Sequence, residues 1–269
     1  MEKLYLFTGA GNNFVVLDGR KADVSAYREA GRIGALCKGH HTDGLMILDE
    51  DPEADFAMEF YNPDGSGGMM CGNGGRCIVA FADRLGIRPS DGRIYRFRAP
   101  DGWHTAEILE RPPIGAQDDK WIVRLKMIDV KGIEPMQDGF FLNTGTRHFV
   151  KFVPDVNAID MEKEGPALRW DKRFAPEGTN ANFVQAAPDG LHVRTFEKGV
   201  EGETLACGTG LTASALAACY AGIPGAAGND RAYRLQCRRG DWLSVAFQSA
   251  GEGFREVYLT GPAECLGVI

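Results

Sequence analysis

Two short segments of this 269-residue chain carry the residue types that acid/base chemistry needs, and each repeats the other. Cys71-Gly72-Asn73-Gly74 leads through Arg76 to Leu85 and ends at Gly86-Ile87, while Cys207-Gly208-Thr209-Gly210 leads through Thr212 to Ala221 and ends at Gly222-Ile223. The matching Cys, Gly and Ile positions share one offset of 136 residues. Each copy places a thiol at the start of a predicted helix. Two thiols on opposite sides of one carbon can remove a proton from one face and deliver another to the opposite face. That is the chemistry of a cofactor-independent racemase or epimerase.

An amino-acid α-proton is hard to remove, because the adjacent carboxylate is already negative and gains more charge as the proton leaves. Free N–H groups at a helix start, reinforced by the helix dipole, stabilise such charge. The amides of Gly72, Asn73, Gly208 and Thr209 are therefore expected to hold one substrate carboxylate. The same helix starts are expected to lower a thiol pKa from about 8.5 toward neutrality. One cysteine would then be thiolate and the other thiol, exchanging roles with substrate handedness. A lone cysteine is more often a buried packing group. That reading is kept for Cys37, Cys77, Cys219, Cys237 and Cys265; the duplicated context sets Cys71 and Cys207 apart.

The elements that must position these thiols are duplicated too. Phe14-Val15 recurs as Phe149-Val150, Thr42-Asp43 as Thr179-Asn180, and Phe60 as Phe196, in order and at offsets of 135 to 137. Short β-branched or aromatic runs predict strands from Leu4–Phe7 to Arg255–Leu259. Helices are expected over Val24–Cys37, Cys71–Leu85, Glu162–Trp170 and Cys207–Ala221, with Gly86 and Gly222 suited to left-handed caps. The expected fold class is α+β: two pseudo-symmetric domains, each a curved sheet or barrel around a central helix, with the active site in the interdomain cleft. The linker-like Arg111-Pro112-Pro113-Ile114-Gly115 divides them into 1–115 and 116–261.

Composition narrows the function classes. With 44% hydrophobic and 25% charged residues, the chain is suited to real cores in two domains of about 100–150 residues. A net charge of −7 argues against a nucleic-acid partner. No signal peptide is visible in Met1 to Asn13, and no run approaches the ~20 apolar residues that span a bilayer, so no membrane association is expected. Seven cysteines without a C-x-x-C pair fit a reducing compartment, and their spacing gives neither a disulfide framework nor a metal site. Gly9-Ala10-Gly11 lacks the third glycine of a dinucleotide fingerprint.

Four segments, Phe7-Thr8-Gly9-Ala10-Gly11-Asn12-Asn13-Phe14, Tyr61-Asn62-Pro63-Asp64-Gly65-Ser66, Met70-Cys71-Gly72-Asn73-Gly74-Gly75-Arg76-Cys77 and Gly202-Glu203-Thr204-Leu205-Ala206-Cys207-Gly208-Thr209-Gly210, closely resemble the diaminopimelate epimerase family, in family order from end to end. The resemblance implies a cytoplasmic, usually homodimeric enzyme that converts LL- to meso-diaminopimelate for lysine and peptidoglycan synthesis, using no PLP and no metal. It also implies that 262–269 returns to the first domain. Cys71 and Cys207 match the two acid/bases, and His148 and Glu197 match residues that assist the thiols. Asn12, Asn62 and Asn180 match amides that contact the distal, unreacting centre. Read alone, each Asn is as readily a turn or cap residue, His148 a core histidine and Glu197 a structural ion-pair member.

Two departures fall on the part that identifies the substrate. The family's Gly-Asn-Pro-His is here Gly145-Thr146-Arg147-His148, so a distal amide becomes Thr146. The family's Glu-Arg-Gly is here Glu197-Lys198-Gly199, and lysine cannot copy the two parallel bonds that arginine makes to a carboxylate. Lys198 or Arg147 remains as a source of positive charge. Rival readings are a cofactor-independent racemase or epimerase of a different amino acid, a PhzF-like isomerase, a thiol redox protein, or a binding protein that has lost catalysis. Two intact Cys-Gly-x-Gly motifs favour paired-thiol epimerisation.

Overall fold

Strands dominate the chain, as its short β-branched and aromatic runs predict, and helices are few. A computed structural model describes residues 3–21, 23–68, 70–113, 119–225 and 232–269. The chain forms two units, Met1–Leu125 with Gly261–Ile269, and Lys126–Thr260.

The first unit contains β1 (Leu4–Gly9), β2 (Asn12–Asp18), β3 (Gly44–Asp49), β4 (Phe56–Tyr61), β5 (Ile94–Ala99), β6 (Gly102–Glu110) and β7 (Asp119–Lys126). Its helices are α1 (Ala30–His40) and α2 (Gly72–Arg84). The second unit contains β8 (Glu134–Met136), β9 (Gly139–Asn143), β10 (Arg147–Phe152), β11 (Asn180–Ala187), β12 (Gly190–Glu197), β13 (Gly202–Thr204), β14 (Ala232–Gln236) and β15 (Trp242–Ala250), with helices α3 (Met161–Arg169) and α4 (Gly208–Tyr220). The last strand, β16 (Gly253–Val268), serves both units in succession.

In the first unit β1 to β7 pair in sequence order. The end of β16 then closes the ring, pairing with β7 from Gly261 opposite Val123 and with β1 from Thr8 opposite Glu264. Eight strands so joined leave no free edge. In the second unit the order is β16-β15-β14-β12-β11-β10-β9-β8, with β13 beside β12. The pairing senses repeat between units. From β1 to β7 they run antiparallel, parallel, antiparallel, parallel, antiparallel, antiparallel. The path from β9 through β10, β11, β12, β14 and β15 to β16 gives the same succession.

The cysteine helices are buried nearly all round, the state expected of α4, which has no charged residue, whereas α2 buries Asn73, Arg76 and Asp83 as well. Every residue from Gly72 to Asp83 is buried, as are Gly210 to Ala218 in α4. Each helix begins one residue after its cysteine, because the cysteine itself is the cap. Each ends on a left-handed glycine, Gly86 at φ 79° and Gly222 at φ 70°, whose following isoleucine N–H reaches back to Ala82 or Ala218. The outer sheet faces are covered separately. Ile33 and Cys37 of α1 pack with Val15, Leu17, Leu45 and Ile47, and Met161 and Leu168 of α3 pack with Phe149, Ala181 and Phe183. Strands buried on both faces lose polar alternation, which is why Leu45-Met46-Ile47-Leu48 reads as one apolar run.

Several expectations need correction. The unit boundary falls at Leu125/Lys126, since β7 pairs with β6 and with the end of β16; the expected boundary at 115/116 lies outside the described residues. Val24–Cys37 is not one helix: a helical turn at Ser25–Arg28 is followed by extended backbone at Glu29, and α1 then starts at Ala30. The three-residue strands β8 and β13 were too short to carry an alternation signal. The final strand runs nine residues past the expected Leu259, through Gly261, Pro262 and Gly267, residue types that normally end strands.

Candidate active site

Cys71 has extended backbone and caps α2 with its side chain: Sγ accepts the Gly74 N–H at 3.2 Å. The thiol is partly exposed. Asn73, in the first turn, is buried and donates from Nδ2 to Asn12 Oδ1 at 2.6 Å. This fixes Asn12 at the start of β2 and leaves its Nδ2 without an acceptor among the described residues. Behind Asn73 stands Arg76, wholly buried, whose guanidinium donates to Asn73 Oδ1 at 2.9 Å and to the carbonyls of Gly72, Gly9 and Pro262. One side chain thus ties the helix start to the end of β1 and to the interior of β16.

Asn62 belongs to the turn after β4. Its N–H donates to Ser66 O at 2.9 Å, its carbonyl accepts from Gly65, and its Nδ2 reaches Ser66 Oγ at 3.0 Å. Gly65 is required there: φ is 83°, and a Cβ would stand 2.4 Å from that of Ala30. The amide therefore braces this turn, the local role open to any Asn.

Cys207 caps α4 and is buried. Its Sγ lies 3.4 Å from Thr209 Oγ1, and the Glu197 carboxylate at the end of β12 sits against it. The expected fall in thiol pKa is overturned here. Burial raises the Cys207 pKa, and the Glu197 charge raises it further; the Thr209 hydroxyl and Gly210 N–H oppose this with a smaller effect. Desolvation outweighs the helix start, and Cys207 is held as the neutral thiol.

His148 on β10 is wholly buried, and that burial holds its pKa down to about 3. It is a neutral imidazole. Asn182 Nδ2 meets His148 Nδ1 at 3.1 Å and the Phe149 carbonyl at 3.0 Å, while Thr195 Oγ1 donates to Asn182 Oδ1 at 3.0 Å. Gly210 is needed beside this amide, because a Cβ there would come within 2.5 Å of Asn182 Oδ1. The other ring nitrogen, Nε2, lies 2.9 Å from Thr146 Oγ1, which is 3.4 Å from Thr209 Oγ1. Asn180 donates to Thr146 Oγ1 at 3.3 Å and to Arg147 O at 2.8 Å, and accepts the Lys198 N–H at 2.7 Å.

In the second unit the structure therefore gathers Cys207, Thr209, Thr146, His148 and Asn180 into one hydrogen-bonded group, with Glu197 on the thiol. In the first it gathers Cys71, Asn73 and Asn12, with Asn62 held in its own turn. Gly72, Gly208 and Thr209 supply helix-start amides ahead of the first intrahelical bonds, Gly75 N–H to Cys71 O and Leu211 N–H to Cys207 O. The Lys198 side chain is exposed. Arg147 pairs with Glu177 at 3.1 Å and lies over the Phe141 ring, so its charge is shared. Sequence reasoning missed Asn182, Thr195 and Arg76. A second asparagine two places after Asn180 on β11 was the available signal for Asn182, because it shares that residue's face. Arg76 gave none; inside a helix start it reads as an ordinary surface cation.

The sequence profile of the diaminopimelate epimerase family matches residues 4–108 and 140–266. The chain is 39% identical over 268 residues to a diaminopimelate epimerase of Chlorobaculum tepidum, covering 96% of this chain and 97% of that one. It is 38% identical to a diaminopimelate epimerase of Aquifex aeolicus, covering 94% and 91%. Among solved structures, a hydroxyproline epimerase from Agrobacterium vitis matches with TM-score 0.69 at 16% identity, over all of this chain and 90% of that one. A PhzF-family phenazine biosynthesis protein from Bacillus anthracis matches with TM-score 0.74 at 11% identity, over all of this chain and 98% of that one. At those identities the two structures share the fold alone. On the sequence matches, this chain belongs to the diaminopimelate epimerase family.

Proposed function

We propose that this protein is an isomerase that epimerises LL-diaminopimelate to meso-diaminopimelate with two cysteines as its acid and base. The observation that carries the mechanism is the matched pair of cysteine-capped helices, each with its thiol at the helix start. Epimerisation needs one sulfur as base and one as acid on the same α-carbon. Burial and the Glu197 carboxylate favour the proton on Cys207, which supports taking Cys207 as the acid and Cys71 as the base toward the LL substrate.

The Cα–H bond breaks as its proton passes to the Cys71 thiolate, and the electron pair moves into the substrate carboxylate. The amides of Gly72, Gly208 and Thr209 stabilise the added charge. Cys207 then delivers its proton to the opposite face, becoming thiolate as Cys71 becomes thiol. The Thr209 hydroxyl and Gly210 N–H, both favouring the charged sulfur, stabilise Cys207 once it has given up its proton. The same reading takes Asn12, Asn62, Asn180 and Lys198 for the distal end of the substrate. It carries a cytoplasmic location and a homodimer with it.

A second reading is epimerisation of a different amino acid, favoured by Thr146 and Lys198 at the positions that distinguish substrates. Proton NMR of the reduced protein with LL-diaminopimelate in D₂O separates the two. Deuterium at Cα together with meso product supports the first. Absence of exchange with this substrate, but exchange with another amino acid, supports the second. Cys71→Ala and Cys207→Ala should each abolish epimerisation with the fold intact, and near-normal turnover in either would end the two-base mechanism.

A further inference from the structure

The side chains between His148 and Cys207 have only one consistent set of hydrogen-bond directions. Asn182 Nδ2 points at the Phe149 carbonyl, which can only accept, and its Oδ1 takes the Thr195 hydroxyl, so the amide cannot be turned round. Nδ2 must then donate to His148 Nδ1 as well. A neutral ring that accepts at Nδ1 carries its proton on Nε2, and that proton goes to Thr146 Oγ1 at 2.9 Å.

Asn180 is fixed in the same way. Its Oδ1 accepts the Lys198 N–H and its Nδ2 faces the Arg147 carbonyl, so it also donates to Thr146 Oγ1. Thr146 Oγ1 thus receives two hydrogen bonds, which fill both lone pairs, and its own hydrogen must go elsewhere. Among the described residues, the further side-chain neighbour in reach is Thr209 Oγ1 at 3.4 Å. Thr209, accepting there, turns its hydrogen toward Cys207 Sγ, 3.4 Å away. The direction set by Asn182 runs unbroken to the sulfur.

We propose that Thr146 is a positioning residue for the acid/base thiol: it relays the hydrogen-bond direction of His148 through Thr209, so that a hydroxyl hydrogen always points at Cys207. The relay stands on geometry; its effect on turnover rests on the epimerase reading above. It gives the residue that departs from the family pattern a role on the proton-transfer side of the site, whereas an amide at that position would contact the substrate. The chain needs an oxygen at 146 that both accepts and donates, which serine supplies and valine does not. The Thr146–Thr209 step is long for a hydroxyl pair and is where a small change is felt first.

The test uses Thr146→Val and Thr146→Ser in the full-length protein. Thr146 is exposed, so neither variant removes core packing. Nitrogen NMR of histidine-labelled protein reads the tautomer without substrate. The expected result is His148 protonated at Nε2 and bare at Nδ1, with the Nε2 shift moved by Thr146→Val and restored by Thr146→Ser. In turnover, Thr146→Val should lower kcat about tenfold, the loss of roughly one hydrogen bond, with little change in KM, and serine should recover it. A His148 protonated at Nδ1, or an Nε2 shift indifferent to valine, overturns the relay. So does a raised KM with unchanged kcat, which marks Thr146 as a substrate contact. If the unmodified protein does not turn over diaminopimelate, the epimerase reading fails while the NMR still decides the relay.

Discussion

His148 Nδ1 lies 3.1 Å from the side-chain nitrogen of Asn182, in a place that water does not reach. The ring is neutral there, and its pKa, held down by burial to about 3 from an ordinary 6.5, links it to stability. Between those two values the unfolded chain binds a proton at this residue and the folded chain does not. Stability from this group is therefore complete above pH 6.5. It falls as the pH drops toward about 3, by up to about 1.4 kcal/mol per pH unit. Urea unfolding at a series of pH values below 7 should show a shallower loss for His148→Gln than for the unmodified protein. Identical slopes would assign the acid sensitivity to the carboxylates instead.

Asn182 holds more than the ring. Its amide also takes the Phe149 carbonyl and the Thr195 hydroxyl, all within the buried seam between β10, β11 and β12. Asn182→Leu keeps the volume and strands those partners, at ~1–3 kcal/mol for each group left unpaired. The expected loss is thus several kcal/mol, large for one substitution on a strand. Chemical denaturation measures it. A loss below about 1 kcal/mol would mean that the seam rearranges around the leucine.

Much of this was legible from the sequence, for a physical reason. The duplication wrote the cysteine helices twice, with the same cap, length and terminal glycine, so each copy supported the other. Strand types followed from composition and from Gly, Pro and Asp punctuation. What was not legible is the partnering of polar groups. Arg76 sits in a helix start and is wholly buried by the barrel wall around it. Thr146 reads in sequence as a substituted substrate contact, and only the fold brings its hydroxyl within hydrogen-bond reach of Asn180 and His148. The thiol expectation failed similarly: a helix start is visible in sequence, but the burial of Cys207 beside Glu197 is not.

Glu197 and Cys207 carry the next prediction. The carboxylate disfavours the thiolate, so Glu197→Gln should make Cys207 more acidic and speed its alkylation by iodoacetamide several-fold at a fixed mildly alkaline pH. Mass spectrometry of the Cys207 peptide follows the rate. Slower alkylation in the variant would mean that Glu197 acts as a base that takes the thiol proton, and that this help outweighs its charge.

Lys198 offers a clean probe of the distal end, because the backbone and not the side chain fixes its position. Its N–H donates to Asn180 Oδ1 at 2.7 Å, a bond that every substitution except proline keeps. The exposed ammonium can therefore be removed without moving the turn. If it meets the distal carboxylate, Lys198→Ala should raise KM for LL-diaminopimelate about tenfold with little effect on kcat, the pattern of lost uniform binding. Lys198→Arg should lower KM below that of the unmodified protein, since a guanidinium can grip a carboxylate with two parallel bonds. Steady-state kinetics on the three proteins decides it. An unchanged KM in Lys198→Ala would transfer the role to Arg147, and then Glu177→Gln, which frees the Arg147 charge from its partner, should tighten substrate binding.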